Sequence, residues 1–156
     1  MVKEKYLGYY MDIAKRTAEL STARKKKVGA VIVKDDRIVS VGYNGTPSGW
    51  DNNCEEWRPN EGIHFDVPGE DMDIYGDWYT KDEVLHAEAN AITKLARSPE
   101  TGEGATLFCT HLPCVECAKL IYQTGINTVY YDEEYIASRG SGKEFLEKSN
   151  VHLEKL

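Results

Sequence analysis

The pattern of hydrophobic and polar positions divides the chain into regular elements on either side of one long polar segment. Residues 4–20 predict a first helix because apolar side chains recur at helical spacing, at Leu7, Tyr10, Met11, Ala14 and Ala18. Two β-branched runs, at 28–33 and 37–43, are separated by polar residues and predict an antiparallel hairpin. The stretch 44–83 is rich in Gly, Pro, Asn and Asp, and a loop of that length inside a compact domain is usually functional.

The second half of the chain alternates predicted helices with predicted strands. The helices fall at 86–97, 114–124 and 142–149, and the strands at 105–109, 127–131 and 151–153. With the first helix and the hairpin, this order predicts a three-layer α/β/α fold around a mixed five-stranded sheet. We treat residues 1–156 as one domain with an insert at about 50–84. The two central strand–helix–strand crossovers should be right-handed and lie on one face of the sheet.

Composition and charge narrow the class of protein. Of the 156 residues, 41% are hydrophobic and 29% are charged, which is ordinary for a soluble globular domain. The sequence has no apolar run long enough to span a bilayer and starts with no apolar signal core, so we expect a cytoplasmic protein, in the host cytoplasm if it is viral. The net charge of −7 argues against binding to long nucleic acid. A nucleotide remains compatible, because one phosphate needs only a few cations and residues 24–27 form a dense basic run.

The four cysteines indicate metal or redox chemistry, since disulfide frameworks are rare in cytosolic proteins of this size. Cys114 and Cys117 form a C-x-x-C motif, which is typical of metal sites and of redox pairs. Cys109 lies in an apolar run and is expected to be a buried strand residue. Cys54 lies in the polar loop and is the ambiguous one of the four.

His86 completes a candidate metal site with the two cysteines of that motif. A catalytic zinc ion takes three protein ligands and keeps one position for water, whereas a structural zinc ion takes four. His86 and Cys114 each stand at the predicted start of a helix, so adjacent helices with their N-termini at one end of the sheet would bring the side chains together. The helix dipoles there favour thiolates. The sequence therefore predicts an open, catalytic zinc site.

Glu88 follows His86 on the same predicted helix. At that offset it does not share the direction of the ligand, so it is a poor fourth ligand but can reach the space beside a water that zinc has acidified. There it would take a proton from the water, hand it to a ring nitrogen and later protonate a leaving amine. A nucleophile and a proton shuttle together predict hydrolytic deamination.

Longer motifs connect the chain to a known family. Residues 86–88 read H-A-E and residues 113–117 read P-C-V-E-C, which is the signature of zinc-dependent nucleobase deaminases. From about residue 4 to 153 the chain resembles the deoxycytidylate (dCMP) deaminase family, including its phage members, through the segments 28–32, 42–49, 86–92 and 113–126. The resemblance implies a cytidine-deaminase-like fold and the hydrolysis of dCMP to dUMP and ammonia, which feeds thymidylate synthesis. The insert is the least similar part.

The resemblance also implies roles for individual residues. His86, Cys114 and Cys117 would hold one catalytic Zn2+, and Glu88 would shuttle the protons. The implied substrate contacts are the backbone around Ala87 and Pro113 for the cytosine, Asn44 for the sugar, Arg24 and Lys26 for the phosphate, and Tyr131 or Tyr135 flanking the ring.

Regulation is a further implication of the resemblance. The family is often hexameric and is often activated by dCTP and inhibited by dTTP, with Mg2+ on the triphosphate. The loop at 42–49 is implicated in that regulatory site, and its candidate residues are Asn44, Gly45, Pro47, Gly49 and Trp50. Some phage members carry a second, structural zinc ion. Only Cys54 and His64 are present in the corresponding region here, with Ala23 and Arg24 where another cysteine would stand, so we expect a single ion.

Other functions stay open at this point. A related zinc deaminase would act on adenosine in tRNA, on guanine or on a riboflavin precursor, although the acidic charge counts against tRNA. A non-catalytic zinc-binding or competence-type module is a third alternative, against which Glu88 argues. Residues 24–27 also suit the solvated basic end of the first helix, and Tyr131 and Tyr135 also suit packing positions. His111 lies near the C-x-x-C motif but is not expected to be catalytic.

Overall fold

The structure is a computed structural model that describes residues 2–59, 76–135 and 140–156. After a short 3-10 turn at Glu4–Tyr6, the elements in chain order are α1 (Leu7–Ala18), β1 (Gly29–Lys34), β2 (Arg37–Tyr43), β3 (Glu55–Pro59), β4 (Gly76–Thr80), α2 (Ala87–Leu95), β5 (Thr106–His111), α3 (Val115–Gln123), β6 (Thr128–Glu133), α4 (Lys143–Lys148) and β7 (His152–Lys155). No helix in these ranges is long and apolar enough to cross a membrane.

Five strands form one mixed sheet in the order β2-β1-β5-β6-β7. Strand β1 pairs antiparallel with β2 and β5, whereas β6 pairs in parallel with β5 and β7. The hairpin of β1 and β2 turns at Asp35 and Asp36, whose φ angles are 50° and 58°. Two positive φ angles in a row are those of a type I′ turn, and Asp adopts them more readily than most residues do. The predicted hairpin and the mixed five-stranded sheet are confirmed.

Helices cover both faces of this sheet, because successive side chains of a strand point to opposite sides. One core cluster joins α1 to three strands and consists of Tyr10, Met11, Ala14, Val31, Val33, Phe108 and Tyr130. The other joins the opposite face to α2, α3 and α4, and it includes Ala30, Ile32, Leu107, Cys109, Val129, Ala91, Ile121 and Leu146. The predicted three-layer α/β/α arrangement is confirmed, the helices of both parallel crossovers lie on one face, and Cys109 is a buried strand residue as predicted.

The polar insert contains a second, two-stranded sheet that the sequence pattern did not indicate. Strands β3 and β4 pair antiparallel, with Trp57 opposite Trp78 and their rings edge to face at 5.7 Å. A side chain at Gly76 would clash with the Trp57 ring, since a Cβ there would lie 2.7 Å from it. His64 and the acidic stretch 70–73 lie outside the described residues.

Helix α2 lies directly against the β1–β2 hairpin. A Cβ at Gly42 would lie 2.2 Å from the carbonyl oxygen of Ala87 and 2.5 Å from the backbone nitrogen of Ala91, so only glycine permits this approach. The Ser40 hydroxyl donates a hydrogen bond to the Ala91 carbonyl at 2.7 Å. These contacts fix the start of α2, where His86 is the N-cap and Glu88 lies in the first turn.

Candidate active site

Three potential zinc ligands meet where α2 and α3 begin. His86 and Cys114 are the N-cap residues of these helices, as predicted. The Nδ1 of His86 lies 3.5 Å from the Sγ of Cys114 and 3.4 Å from the Sγ of Cys117, and the potential ligand atoms all lie within 4.8 Å of one another. Nitrogen and sulfur ligands on a tetrahedral zinc ion are about 3.6 Å apart, given their usual bond lengths. The three side chains therefore fit one zinc ion.

The electrostatics of the two thiols also suit a cation. A hydrogen bond with Cys117, together with one to His86, lowers the pKa of Cys114 to about 3. The same hydrogen bond to Cys114, and then burial, raises the pKa of Cys117. Two thiols whose pKa values are pushed apart in this way lose their protons one at a time, and a divalent metal ion would take the place of the proton that the pair shares.

Glu88 is buried beside this cluster, on the first turn of α2. Burial raises its pKa, although the hydrogen bond to its own backbone N–H and the charge of His86 oppose the shift. Glu88 stays outside the cluster of metal-ligating groups found in the described ranges, as its offset from His86 predicted. A raised pKa makes a carboxyl group better suited to accept a proton and return it than an ordinary, fully ionised carboxylate.

A cavity of about 170 Å³ adjoins the cluster. Its described lining comprises Ala23, Lys25, Lys26, Val28, Asn44, Cys54, Glu55, Thr80, Val84, His86, Ala87, Glu88, His111, Leu112, Cys114 and Tyr135. Four of the residues predicted to contact substrate are among them, namely Lys26, Asn44, Ala87 and Tyr135.

The other three residues predicted to contact substrate are not among these lining residues, although Leu112 and Cys114 on either side of Pro113 are. The guanidinium of Arg24 lies 4.6 Å from the ring centroid of Trp78, on the small sheet. Tyr131 is buried on β6, and its hydroxyl donates to Glu134 at 2.7 Å. Pro113 is buried too, and its carbonyl accepts the Gly142 N–H at 2.9 Å.

Asn44 holds the basic segment in place from within the cavity wall. Its Oδ1 accepts the Val28 N–H at 2.8 Å, and its Nδ2 donates to the Lys26 carbonyl at 2.8 Å. A carboxamide oxygen accepts two hydrogen bonds and the nitrogen donates two. The side chain therefore has capacity for a ligand contact in addition to these two bonds.

Lys25, Glu55, His111 and Cys54 line the cavity but were not predicted to contact the substrate. Lys25 belongs to the basic run at 24–27, and that run is the sequence feature from which its place beside the cavity could have been predicted. Glu55 is buried, and its carboxylate accepts the N–H groups of Arg24 at 3.0 Å and Lys25 at 3.3 Å. His111 is 8% exposed at the end of β5. The buried Cys54, ambiguous in the sequence, has its Sγ 3.4 Å from the Thr22 hydroxyl.

The loop at 42–49 connects directly to the metal cluster through the backbone. Gly45 donates its N–H to the Leu85 carbonyl at 3.1 Å and accepts the Leu85 N–H at 2.9 Å, and Leu85 precedes His86. Further along, the Pro47 carbonyl accepts the Trp50 N–H at 3.0 Å, and Gly49 has a φ of 87°. The Trp50 side chain is exposed.

Comparisons with known proteins agree with this site. Residues 4–133 match the model of the cytidine and deoxycytidylate deaminase zinc-binding region. The deoxycytidylate deaminase of Mycobacterium phage D29 is 40% identical, covering 81% of this chain and 93% of that protein, and that of Enterobacteria phage T4 is 33% identical, covering 92% and 86%. The dCMP deaminase of the cyanophage S-TIM5, in complex with dCMP and dUMP, matches with a TM-score of 0.80 and 37% identity over 100% of both chains. The chain therefore belongs to the cytidine and deoxycytidylate deaminase family.

Proposed function

We propose that this protein hydrolyses dCMP to dUMP and ammonia. The observation that carries the proposal is the meeting of His86, Cys114 and Cys117 within 4.8 Å, with Glu88 beside them on the same cavity. In this reaction water adds its oxygen to C4 of the cytosine, the bond from C4 to the amino nitrogen breaks, and ammonia leaves. The product would supply thymidylate synthesis.

The residues divide this chemistry between them. His86, Cys114 and Cys117 would hold Zn2+, which when bound acts as a Lewis acid that lowers the pKa of water. The Glu88 carboxylate would take a proton from the attacking water and give it to the ring nitrogen. Glu88 would then take the second proton of the added water from the oxygen at C4 and give it to the amino group that leaves, so no proton is gained or lost overall.

The cavity offers groups for each part of a nucleoside monophosphate. Lys25 and Lys26 both line the cavity, and the Lys26 ammonium lies over the ring of Tyr135, another lining residue. In a chain with a net charge of −7, this local positive charge suits a phosphate. Asn44 would hydrogen-bond the sugar, and Tyr135 would flank the ring, which the backbone around Ala87 and Pro113 would also contact. The T4, D29 and S-TIM5 relatives are deoxycytidylate deaminases, which supports dCMP over a free base or tRNA.

We also propose regulation by nucleotide triphosphates, with dCTP as activator and dTTP as inhibitor, Mg2+ on the triphosphate and a hexameric assembly. The site would involve Asn44, Gly45, Pro47, Gly49 and Trp50. The two backbone hydrogen bonds between Gly45 and Leu85 support this, because a ligand that moves the loop would also displace the residue before His86.

Ammonia release from a panel of substrates tests the proposed reaction. The zinc-loaded protein would be assayed with dCMP, deoxycytidine, CMP, guanine, a riboflavin precursor and tRNA, and we expect dCMP to be the best substrate. Release from tRNA but not from dCMP would contradict the proposal. Equal turnover of deoxycytidine and dCMP would refute the requirement for a phosphate, and a protein inert on the whole panel would favour a non-catalytic module.

The same assay tests regulation when dCTP or dTTP is added with and without Mg2+. We expect dCTP to raise the rate at low dCMP concentration and dTTP to lower it. Rates that neither triphosphate changes, at concentrations well above that of the protein, would contradict the regulatory proposal without affecting the proposed reaction.

A further inference from the structure

His111 is a buried histidine on the cavity lining that lies outside the metal cluster and outside the proposed chemistry. It ends β5, is 8% exposed and shares the cavity lining with Lys26 and Tyr135. A histidine beside a deaminase centre suggests an acid or a base at first sight. Its hydrogen bonds argue for another role.

Both ring nitrogens of His111 already bind protein groups. Nδ1 lies 2.9 Å from the Thr110 hydroxyl, which in turn accepts the Gly29 N–H at 3.1 Å. Nε2 lies 3.2 Å from a carboxylate oxygen of Glu133. Burial, and then the charge of Lys26, lower the pKa of His111 although Glu133 opposes them, so the ring is neutral at pH 7. Because Nε2 faces a carboxylate, the single proton sits on Nε2, and the Thr110 hydroxyl donates to Nδ1.

The ring so held is in edge contact with Tyr135. The two ring centroids are 6.1 Å apart and the planes are at 84°, which is a favourable aromatic arrangement. On the Tyr135 ring rests the ammonium of Lys26, 4.4 Å from the centroid, as a cation–π contact. A continuous series of contacts therefore connects His111, at the end of β5, through Tyr135 to Lys26, the lysine that would bind the phosphate.

We infer that His111 is a positioning residue for phosphate recognition: its fixed ring orients Tyr135, and Tyr135 orients the Lys26 ammonium at the cavity. This rests on the proposed function, since it assigns the phosphate of dCMP to Lys26. His111 transfers no proton in this role, because both of its nitrogens are engaged with Thr110 and Glu133.

The test separates substrate binding from chemistry. His111→Ala should raise KM for dCMP about fivefold, the size of one lost aromatic contact, while kcat stays within about twofold and zinc content is unchanged. KM for deoxycytidine should rise less than KM for dCMP, since deoxycytidine has no phosphate for Lys26 to contact and keeps only the ring contact with Tyr135. His111→Gln keeps an N–H for Glu133 and most of the buried volume but removes the ring, so it should show the same pattern and replaces the alanine variant if that one does not fold.

His152 provides a matched control. It pairs with Glu154 at 3.1 Å and makes an edge contact with Tyr130 at 6.0 Å, as His111 does with Glu133 and Tyr135, but it is exposed on β7. His152→Ala should leave both Michaelis constants unchanged. Tyr135→Ala should raise KM for dCMP as His111→Ala does, and the double variant should be no worse than Tyr135→Ala alone.

Three outcomes would overturn the inference. These are a large fall in kcat for His111→Ala at constant zinc content, kinetics identical to those of His152→Ala, or additive effects in the double variant. Two readouts do not need turnover: nitrogen NMR of the imidazole should find the proton of His111 on Nε2, and calorimetry should find dCMP binding to a zinc-loaded Glu88→Gln protein weakened about fivefold by His111→Ala. If wild type deaminates no substrate but these two results hold, the proposed reaction fails and the positioning role stands.

Discussion

The Nδ1 of His86 lies 3.4 Å from the Sγ of Cys117. The two residues are far apart in sequence: His86 caps α2, which precedes β5, and Cys117 lies in α3, which follows β5. The contact exists because α2 and α3 start side by side, so their first turns face one another. Removing one of the ligands should therefore remove the metal and separate two helices at once.

Cys117→Ser is the most direct test of the cluster. We expect zinc content to fall from about one ion per chain to a small fraction, activity to disappear, and the melting temperature to fall, because the metal's binding free energy contributes to folding. Chelation of the wild-type protein should have the same effects. Plasma emission spectrometry and a thermal melt measure the result.

Cys54→Ser is the matched control. The Sγ of Cys54 is buried near the Thr22 hydroxyl, outside the cluster, and serine suits a polar neighbour. Its zinc content should equal that of wild type. A loss of zinc from Cys54→Ser, with none from Cys117→Ser, would contradict the assignment.

Glu88→Gln separates proton transfer from binding. The amide keeps the size of the side chain but cannot take a proton, so kcat should fall by about 10² to 10⁴. Zinc content and dCMP affinity, measured by calorimetry, should stay close to those of wild type. A glutamine variant with wild-type turnover would show that Glu88 is not the shuttle.

The parts predictable from sequence were those with a local signal. The β-branched runs at 28–33 and 37–43, with polar residues between them, predicted a hairpin, and the helix starts at His86 and Cys114 follow from the change of pattern at each position. The candidate zinc site follows from these starts and the C-x-x-C spacing, because local structure fixes all three ligands.

The parts not predictable depend on distant partners. Tyr130 and Tyr131 point to opposite faces of β6, and since helices cover both faces, the pattern does not say which tyrosine faces which helix. The side chain of Arg24 stacks on Trp78, and Trp78 pairs with Trp57 across the insert. No local spacing marks such pairs.

Glu55 should matter for both stability and substrate binding. Its buried carboxylate accepts the N–H groups of Arg24 and Lys25, which fixes the backbone that presents Lys25 and Lys26. Glu55→Ala should lower the free energy of unfolding by about 1.5–3 kcal/mol, the usual range for hydrogen bonds to a charged group. It should also raise KM for dCMP more than it lowers kcat.

Glu56, the neighbour of Glu55, provides the control. Among the described ion pairs its side chain is paired only with Arg58, and it is not buried. Glu56→Ala should change the free energy of unfolding by less than about 0.5 kcal/mol. Urea unfolding measures the free energy of unfolding of both variants. Equal losses would contradict the prediction that the hydrogen bonds of Glu55 stabilise the fold.

Gly42 should be intolerant of any side chain. A Cβ there meets backbone atoms of Ala87 and Ala91 at 2.2 Å and 2.5 Å, and backbone cannot move aside as a flexible side chain can. Gly42→Ala should lower the free energy of unfolding by about 1–3 kcal/mol and lower zinc affinity, because it pushes away the helix turn that follows His86.

Gly8→Ala is the control. Gly8 lies on α1 with nothing within 4 Å of the new Cβ, so the substitution should be neutral or raise stability by less than about 1 kcal/mol. Equal melting temperatures for the two variants would contradict the close approach.

Tyr131 should affect alkaline stability and not substrate binding. Burial, and then the hydrogen bond to Glu134, raise its pKa from 10.0 to about 12. Because the folded protein holds the phenol proton more tightly than the unfolded chain does, this contribution is complete below pH 10 and is lost as the pH rises through 12. Tyr131→Phe should therefore be less stable than wild type at pH 8, where a hydrogen bond is missing, and the difference should shrink between pH 10 and 12.

Tyr10 and Tyr130, whose pKa values burial also raises, remain in the variant, so part of the loss of stability at alkaline pH persists. Urea midpoints at pH 8 and 11.5 measure the change, and two curves that stay parallel would contradict the shifted pKa. An increase in KM for dCMP at pH 8 would instead support the predicted contact of Tyr131 with the substrate.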